Sequence, residues 1–175
     1  MQRVAQFYKV SYDQFKSAIQ DMYVGQVDVN EHWIENIYEY LETPKRATKG
    51  SAGYDFYAPF SFDLQPGETI KIPTGIRCGM HNDWVLMLFP RSSLGFKYRL
   101  KLNNTVGIVD SDYFYADNEG HIFVKLTNEG KDRIVVTLGD AFCQGILLPF
   151  GITDDDNVTA SRHGGFGSTD QGKVA

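Results

Sequence analysis

Four stretches of the chain hold residue types that handle phosphate, metal and water. Pro90-Arg91-Ser92-Ser93-Leu94-Gly95 sets an arginine fork beside two hydroxyls and free backbone amides, the donors a phosphate oxygen needs. Arg162-His163-Gly164-Gly165-Phe166-Gly167-Ser168-Thr169 has the same chemistry in a glycine-rich frame. Its Arg162 brings charge, Ser168 and Thr169 donate, and Phe166 offers a face for stacking. It is not a Walker A loop, because no Gly-Lys-Ser/Thr follows at the needed spacing. The run from Asn104 to Tyr113 ends in two carboxylates around a serine. On a strand, Asp110 and Asp112 would share one face and Ser111 the other. One such carboxylate near a substrate phosphate could orient and deprotonate water, and Asn104, both donor and acceptor, could read a base edge. In Gly50-Ser51-Ala52-Gly53-Tyr54-Asp55, Asp55 follows small residues and suits a magnesium contact through water. Taken singly, each stretch has a plainer reading: a Gly/Ser tail, a solvated acid pair, a turn aspartate.

These segments need a frame to bring them together. Residues 3–10 read as a first strand. Ser11 is placed to cap a helix through Met22, with Phe15, Ala18, Ile19 and Met22 on one stripe. Asn30 is placed to cap a second, with Trp33, Ile34, Ile37, Tyr38 and Leu41 on its apolar face and Pro44 closing it. Residues 11–42 are therefore expected to form a helical hairpin. After Ala52 the pattern changes to short strands and turns: Gly53–Tyr57, Thr69–Ile72, Val85–Phe89, Ile122–Leu126, Ile134–Leu138 and Phe142–Leu148. No helical period of useful length follows Pro44. Strands at this spacing predict an antiparallel all-β sandwich or barrel over residues 1–156. The polar residues 157–175 lack a strand pattern and are expected to form a flexible C-terminal arm.

In this order the segments resemble the five motifs of the homotrimeric dUTPases. Ala52-Gly53-Tyr54-Asp55 matches the first motif and Pro90 to Gly95 the second. Gly107-Ile108-Val109-Asp110-Ser111-Asp112-Tyr113 resembles the third, Gly139-Asp140-Ala141-Phe142-Cys143-Gln144 the fourth and Gly164 to Thr169 the fifth. The resemblance implies a jelly-roll-like antiparallel β-barrel, assembled as a homotrimer with active sites between subunits, that cleaves dUTP to dUMP and pyrophosphate with Mg²⁺. It implies that Asp110 activates the attacking water, and that Tyr113 packs against the deoxyribose and leaves no room for a 2′-hydroxyl. It implies that Asn104 and nearby backbone, with Gly107, pair with the uracil edge, and that Arg91, Ser92, Ser93 and Gln144 hold phosphates. Asp55 would touch the waters of the metal. From the arm, Phe166 would stack on the uracil, and Arg162, Ser168 and Thr169 would close on the phosphates.

Three features depart from the family pattern. Only His163 separates Arg162 from Gly164, so His163 shares candidacy for the arm's cation. Phe114-Tyr115-Ala116-Asp117-Asn118-Glu119 lengthen the link between Tyr113 and Gly120. Residues 11–42 stand as an insert before the first motif, a packed decoration or a surface for a protein partner. Two other functions fit parts of the pattern. A dCTP deaminase shares the fold but carries a glutamate in a later strand, where this chain offers Lys125. A regulatory binding module would use the insert.

The chain's 175 residues fit one domain with a core of its own, and its charge is −5. That acidity argues against wrapping duplex nucleic acid. Residues 84–101 nevertheless carry Arg91, Lys97, Arg99 and Lys101 and no acid, a local grip for one triphosphate. No apolar run suits a membrane span. Cys78 and Cys143, far apart in apolar surroundings, are expected as reduced buried thiols in a cytoplasmic protein.

Overall fold

The computed structural model describes residues 2–24, 29–160, 162 and 164. Strand β1 (Ala5–Lys9) leads into helices α1 (Tyr12–Met22) and α2 (Glu31–Tyr40). Then follow β2 (Lys45–Arg46), β3 (Tyr54–Tyr57), β4 (Phe62–Leu64), β5 (Thr69–Pro73), β6 (Ile76–Met80) and β7 (Trp84–Pro90). A short helix α3 (Ser92–Tyr98) precedes β8 (Leu100–Leu102) and β9 (Gly107–Val109). After a 3₁₀ turn at Ser111–Tyr115 come β10 (Phe123–Asn128), β11 (Ile134–Val136) and β12 (Ala141–Pro149). The described residues are mostly β, with three α-helices.

Both early helices start at the expected caps. Ser11 Oγ accepts from the Gln14 amide at 3.2 Å, and Asn30 Oδ1 from that of His32 at 2.9 Å. Their apolar stripes face inward: Phe15, Ala18 and Ile19 from α1, Ile34 and Ile37 from α2, all buried. Lys16 and Glu31 pair across the two helices, and the Tyr12 and Tyr38 rings meet edge to face at 5.5 Å. The pair docks at the β5–β6 turn. Gly75 has φ +71°, and a Cβ there would come within 2.3 Å of Leu41 Cδ1, so glycine is what lets the α2 end approach. Of the aromatics on α2, Trp33 packs toward Phe60 at 6.1 Å while staying 37% exposed, and Tyr38 donates to the Val10 carbonyl at 2.7 Å. Tyr40 is 73% exposed.

The sheet that matters for function has the order β2-β3-β12-β7-β9. Its antiparallel register sets Gln144 opposite both Asp55 and Phe89, Met87 opposite both Ile146 and Ile108, and Leu148 opposite Val85. Directly opposed residues share a face. One face therefore buries Phe56, Leu86, Leu88, Val109 and Cys143 in the core. The other carries Asp55 and Gln144 beside a row of apolar residues, of which Ile108 and Leu148 are exposed. Both thiols are free and buried, and desolvation pushes each up to about 12, which keeps them protonated and inert.

The described strands fall into four sheets, of two, three, two and five strands, and no closed barrel is found among them. Two expectations need correcting. A helix does follow Pro44, because α3 forms at the second motif. Its seven residues bury no side chain, so it leaves no apolar period to read. Asp110 and Asp112 do not share a strand face either. β9 stops at Val109, and Asp110 leads into the 3₁₀ turn that contains Asp112. No helix of the described residues is long and apolar enough to cross a membrane.

Candidate active site

The five-stranded sheet collects four of the five motifs. The first lies on β3, the fourth on β12, the second at the end of β7, and the third on β9 and the turn after it. At the β3–β12–β7 junction the Asp55 side chain is 13% exposed, and its Oδ2 lies 3.4 Å from Arg91 Nη1. The Gln144 amide donates to the Pro90 carbonyl at 3.3 Å. Ser92 and Ser93 open α3 directly after Arg91, and both are exposed. One arginine, one amide and one sheltered carboxylate thus meet at a single corner of the sheet, with two exposed serines next in the chain.

The donor set at this corner suits magnesium held mainly by a phosphate ligand. Mg²⁺ keeps most of its waters and asks for only one or two carboxylates. Asp55 offers one such carboxylate, already next to the cation that would face the same phosphates.

Asp110 and Asp112 are brought together by Arg162. Its Nη2 lies 2.5 Å from Asp110 Oδ2 and its Nε donates to Asp112 Oδ1 at 3.1 Å. The guanidinium carbon lies 5.7 Å from the centre of the Tyr113 ring. Arg162 was expected to grip phosphates; here it spans the two carboxylates and covers the tyrosine. Tyr113 is 2% exposed with that arginine in place. Its burial raises the phenol above its ordinary range, with Asn118 and the Arg162 charge opposing the rise. His163, Phe166, Ser168 and Thr169 lie outside the described residues.

A cavity of about 360 Å³ opens beside β9, with Asn104, Gly107, Leu88, Phe123, Lys125 and Asn118 in its wall. Asn104 and Gly107 were expected at the base edge. The backbone at Asn104 forms a tight turn: Thr105, at φ +64°, donates to the Leu102 carbonyl at 3.0 Å. This turn is not the arch of a two-stranded hairpin, because β8 pairs with β10 while β9 pairs with β7. Sequence reasoning missed Asn118 and Lys71 as further wall residues. The length of the link after Tyr113 was the signal that could have found Asn118.

Comparison with known proteins is consistent in one direction. The dUTPase family model matches residues 39–170. The deoxyuridine 5'-triphosphate nucleotidohydrolase of Lactococcus lactis is 41% identical over 132 residues, 74% of this chain and 88% of that protein. The protein of the same name from Hahella chejuensis is 39% identical over 137 residues, 74% of this chain and 87% of its own length. Among solved structures, the dUTPase of Streptococcus mutans is 38% identical, with a TM-score of 0.58 over 64% of this chain and 88% of that one. The dUTPase of phage phi11 of S. aureus, 17% identical, shares the fold at a TM-score of 0.62, covering 90% of this chain and 98% of that chain.

Proposed function

The chain belongs to the dUTPase family, and from that premise we propose how this dUTP diphosphatase cleaves dUTP to dUMP and pyrophosphate. Asp110 orients the attacking water and takes its proton as the water attacks the α-phosphorus. Arg91, Ser92, Ser93 and Gln144 hold phosphate oxygens, which is supported by the meeting of Arg91 and Gln144 at the Asp55 corner and by the two exposed serines that follow Arg91. Asn104 and the Gly107 backbone read the uracil edge from the wall of the 360 Å³ cavity. A reader of this kind rejects cytosine because its polar groups would be mispaired. Tyr113 packs on the deoxyribose.

For Asp110 to reach water and Tyr113 to meet sugar, Arg162 must give up both. A triphosphate is the stronger partner for its planar fork. Phe166, Ser168 and Thr169 follow it, stacking on the base and closing on the phosphates. Asp55 would hold a magnesium ion through water beside the triphosphate, and the ion would supply positive charge to the phosphate oxygens. A structural Mg(II) ion is named for the phage phi11 enzyme.

The working unit is a homotrimer with sites between subunits. Its support is the second face of the five-stranded sheet, where Ile108 and Leu148 leave apolar surface uncovered next to Asp55 and Gln144, and Phe96 on α3, which is 96% exposed. An apolar row of this kind needs cover, and cover supplied by another chain brings that chain to the site. The C-terminal arm, residues 157–175, closes over it. A cytoplasmic location is supported by the two reduced thiols. A protein partner at residues 11–42 would have Tyr40 to grip.

The register that aligns Asp55, Gln144 and the Arg91 turn carries the reading. Its rival, deamination of dCTP, lacks support: the described cavity wall holds Lys71 and Lys125 where that chemistry needs a carboxylate. Purified protein given Mg²⁺ and dUTP is expected to release dUMP and pyrophosphate and to leave dCTP intact. Ammonia from dCTP would overturn the assignment.

A further inference from the structure

The long link between Tyr113 and His121 ties three parts of the molecule together. Tyr113 has one hydroxyl proton, and it goes to the His121 carbonyl at 2.6 Å. The phenol oxygen then accepts from Asn118 Nδ2 at 2.8 Å. Asn118 is itself fixed: its Oδ1 accepts from the Gly120 amide at 3.2 Å, and its carbonyl accepts from the His121 amide at 3.0 Å. Gly120 makes this return possible. It has φ +69°, and a Cβ there would lie 2.6 Å from the Tyr113 carbonyl oxygen.

The loop is also clamped from outside. The Glu119 carboxylate accepts from the Ser11 amide at 2.7 Å and the Ser11 hydroxyl at 2.6 Å, at the N-terminus of α1. Desolvation would raise the Glu119 carboxyl, but the Ser11 bonds and Arg77 outweigh it and hold it below the usual range. Arg77 donates to the Phe114 carbonyl at 2.5 Å and lies 3.7 Å from the centre of the Phe114 ring. Asn118 therefore sits on a braced loop, with one side in the cavity wall beside Asn104 and Gly107 and its amide on the tyrosine hydroxyl.

We propose that Asn118 is a positioning residue that fixes the Tyr113 ring at the sugar end of the cavity and thereby sets the preference for deoxyribose over ribose nucleotides. This rests on the reading of Tyr113 as the sugar contact. Excluding a 2′-hydroxyl by shape requires a wall that does not yield, and a ring held only at its stem can swing aside. The His121 carbonyl and Asn118 both hold the far end of the ring, and Asn118 is the one of the two that does so with a side chain.

Asn118→Asp tests this with little change of shape. It keeps the acceptor for the Gly120 amide but turns the donor toward Tyr113 into an acceptor. Tyr113→Phe removes that bond from the other end, together with the bond to the His121 carbonyl. Asn118→Asp is expected to lower the ratio of kcat/KM for dUTP over UTP by about tenfold, the scale of one lost buried hydrogen bond, and Tyr113→Phe by at least as much. The double variant should lose no more than Tyr113→Phe alone, because that variant already lacks the bond that Asn118→Asp cuts. Thermal unfolding of each variant separates this from loss of fold. A ratio unchanged in Asn118→Asp would overturn the proposal, as would losses that multiply in the double variant. Should Asn118→Asp fail to fold, an unchanged ratio in Tyr113→Phe overturns it alone. If the wild-type protein turned over no dUTP, the reading of the whole site would fall, and this proposal with it.

Discussion

Asp110→Asn is expected to lower kcat for dUTP by about two to four orders of magnitude, the usual worth of a positioned general base, while nucleotide binding stays close to wild type. The substitution keeps the shape and removes the negative charge and the proton acceptor. We assign the base to Asp110 rather than Asp112 because Asp110 directly follows the last paired residue of β9, whereas Asp112 lies inside the 3₁₀ turn. The two side chains are similarly exposed, 48% and 53%, so position and not burial separates them. Asp112→Asn should therefore cost much less. Single-turnover rates and equilibrium binding of dUTP to both variants make the comparison. Near-normal turnover in Asp110→Asn, or a larger loss in Asp112→Asn, would move the base elsewhere.

Removing residues 160–175 is expected to cut turnover by about a hundredfold, the cost of a misplaced reacting group, and to leave assembly unchanged. The described core cluster ends at Cys143, so the deletion takes nothing from it. What it does take is Arg162, which spans Asp110 and Asp112 and covers the Tyr113 ring, together with Phe166, Ser168 and Thr169. A closing segment that acts on substrate should raise KM and lower kcat together. Steady-state kinetics and light scattering on the shortened protein read both quantities. A trimer that falls apart would make the arm structural rather than a lid.

The two early helices were legible because each carries a capping side chain and a stripe long enough to show its period. The motif strands were legible because apolar residues bracket their polar ones. Helix α3 was not, since all its side chains are at least partly exposed and no burial pattern marks it. The turn at Asp110 was misread because alternation in Gly107-Ile108-Val109 runs straight into Asp110-Ser111-Asp112, and only backbone hydrogen bonding shows where pairing stops. Arg162 was placed on phosphates by likeness to other chains, whereas its fold-back onto two carboxylates is a long-range contact. No local pattern announces such a contact. The same holds for Glu119 and Ser11, which are 108 residues apart. The helix pair and the long link after Tyr113 meet at that one carboxylate.

The central claim is that water held by Asp110 attacks the α-phosphorus. Hydrolysis of dUTP in water enriched in heavy oxygen tests it most directly, with the products separated and weighed by mass spectrometry. The heavy oxygen is expected in dUMP, with unlabelled pyrophosphate. Label in the pyrophosphate would place the attack at the β-phosphorus and contradict the account.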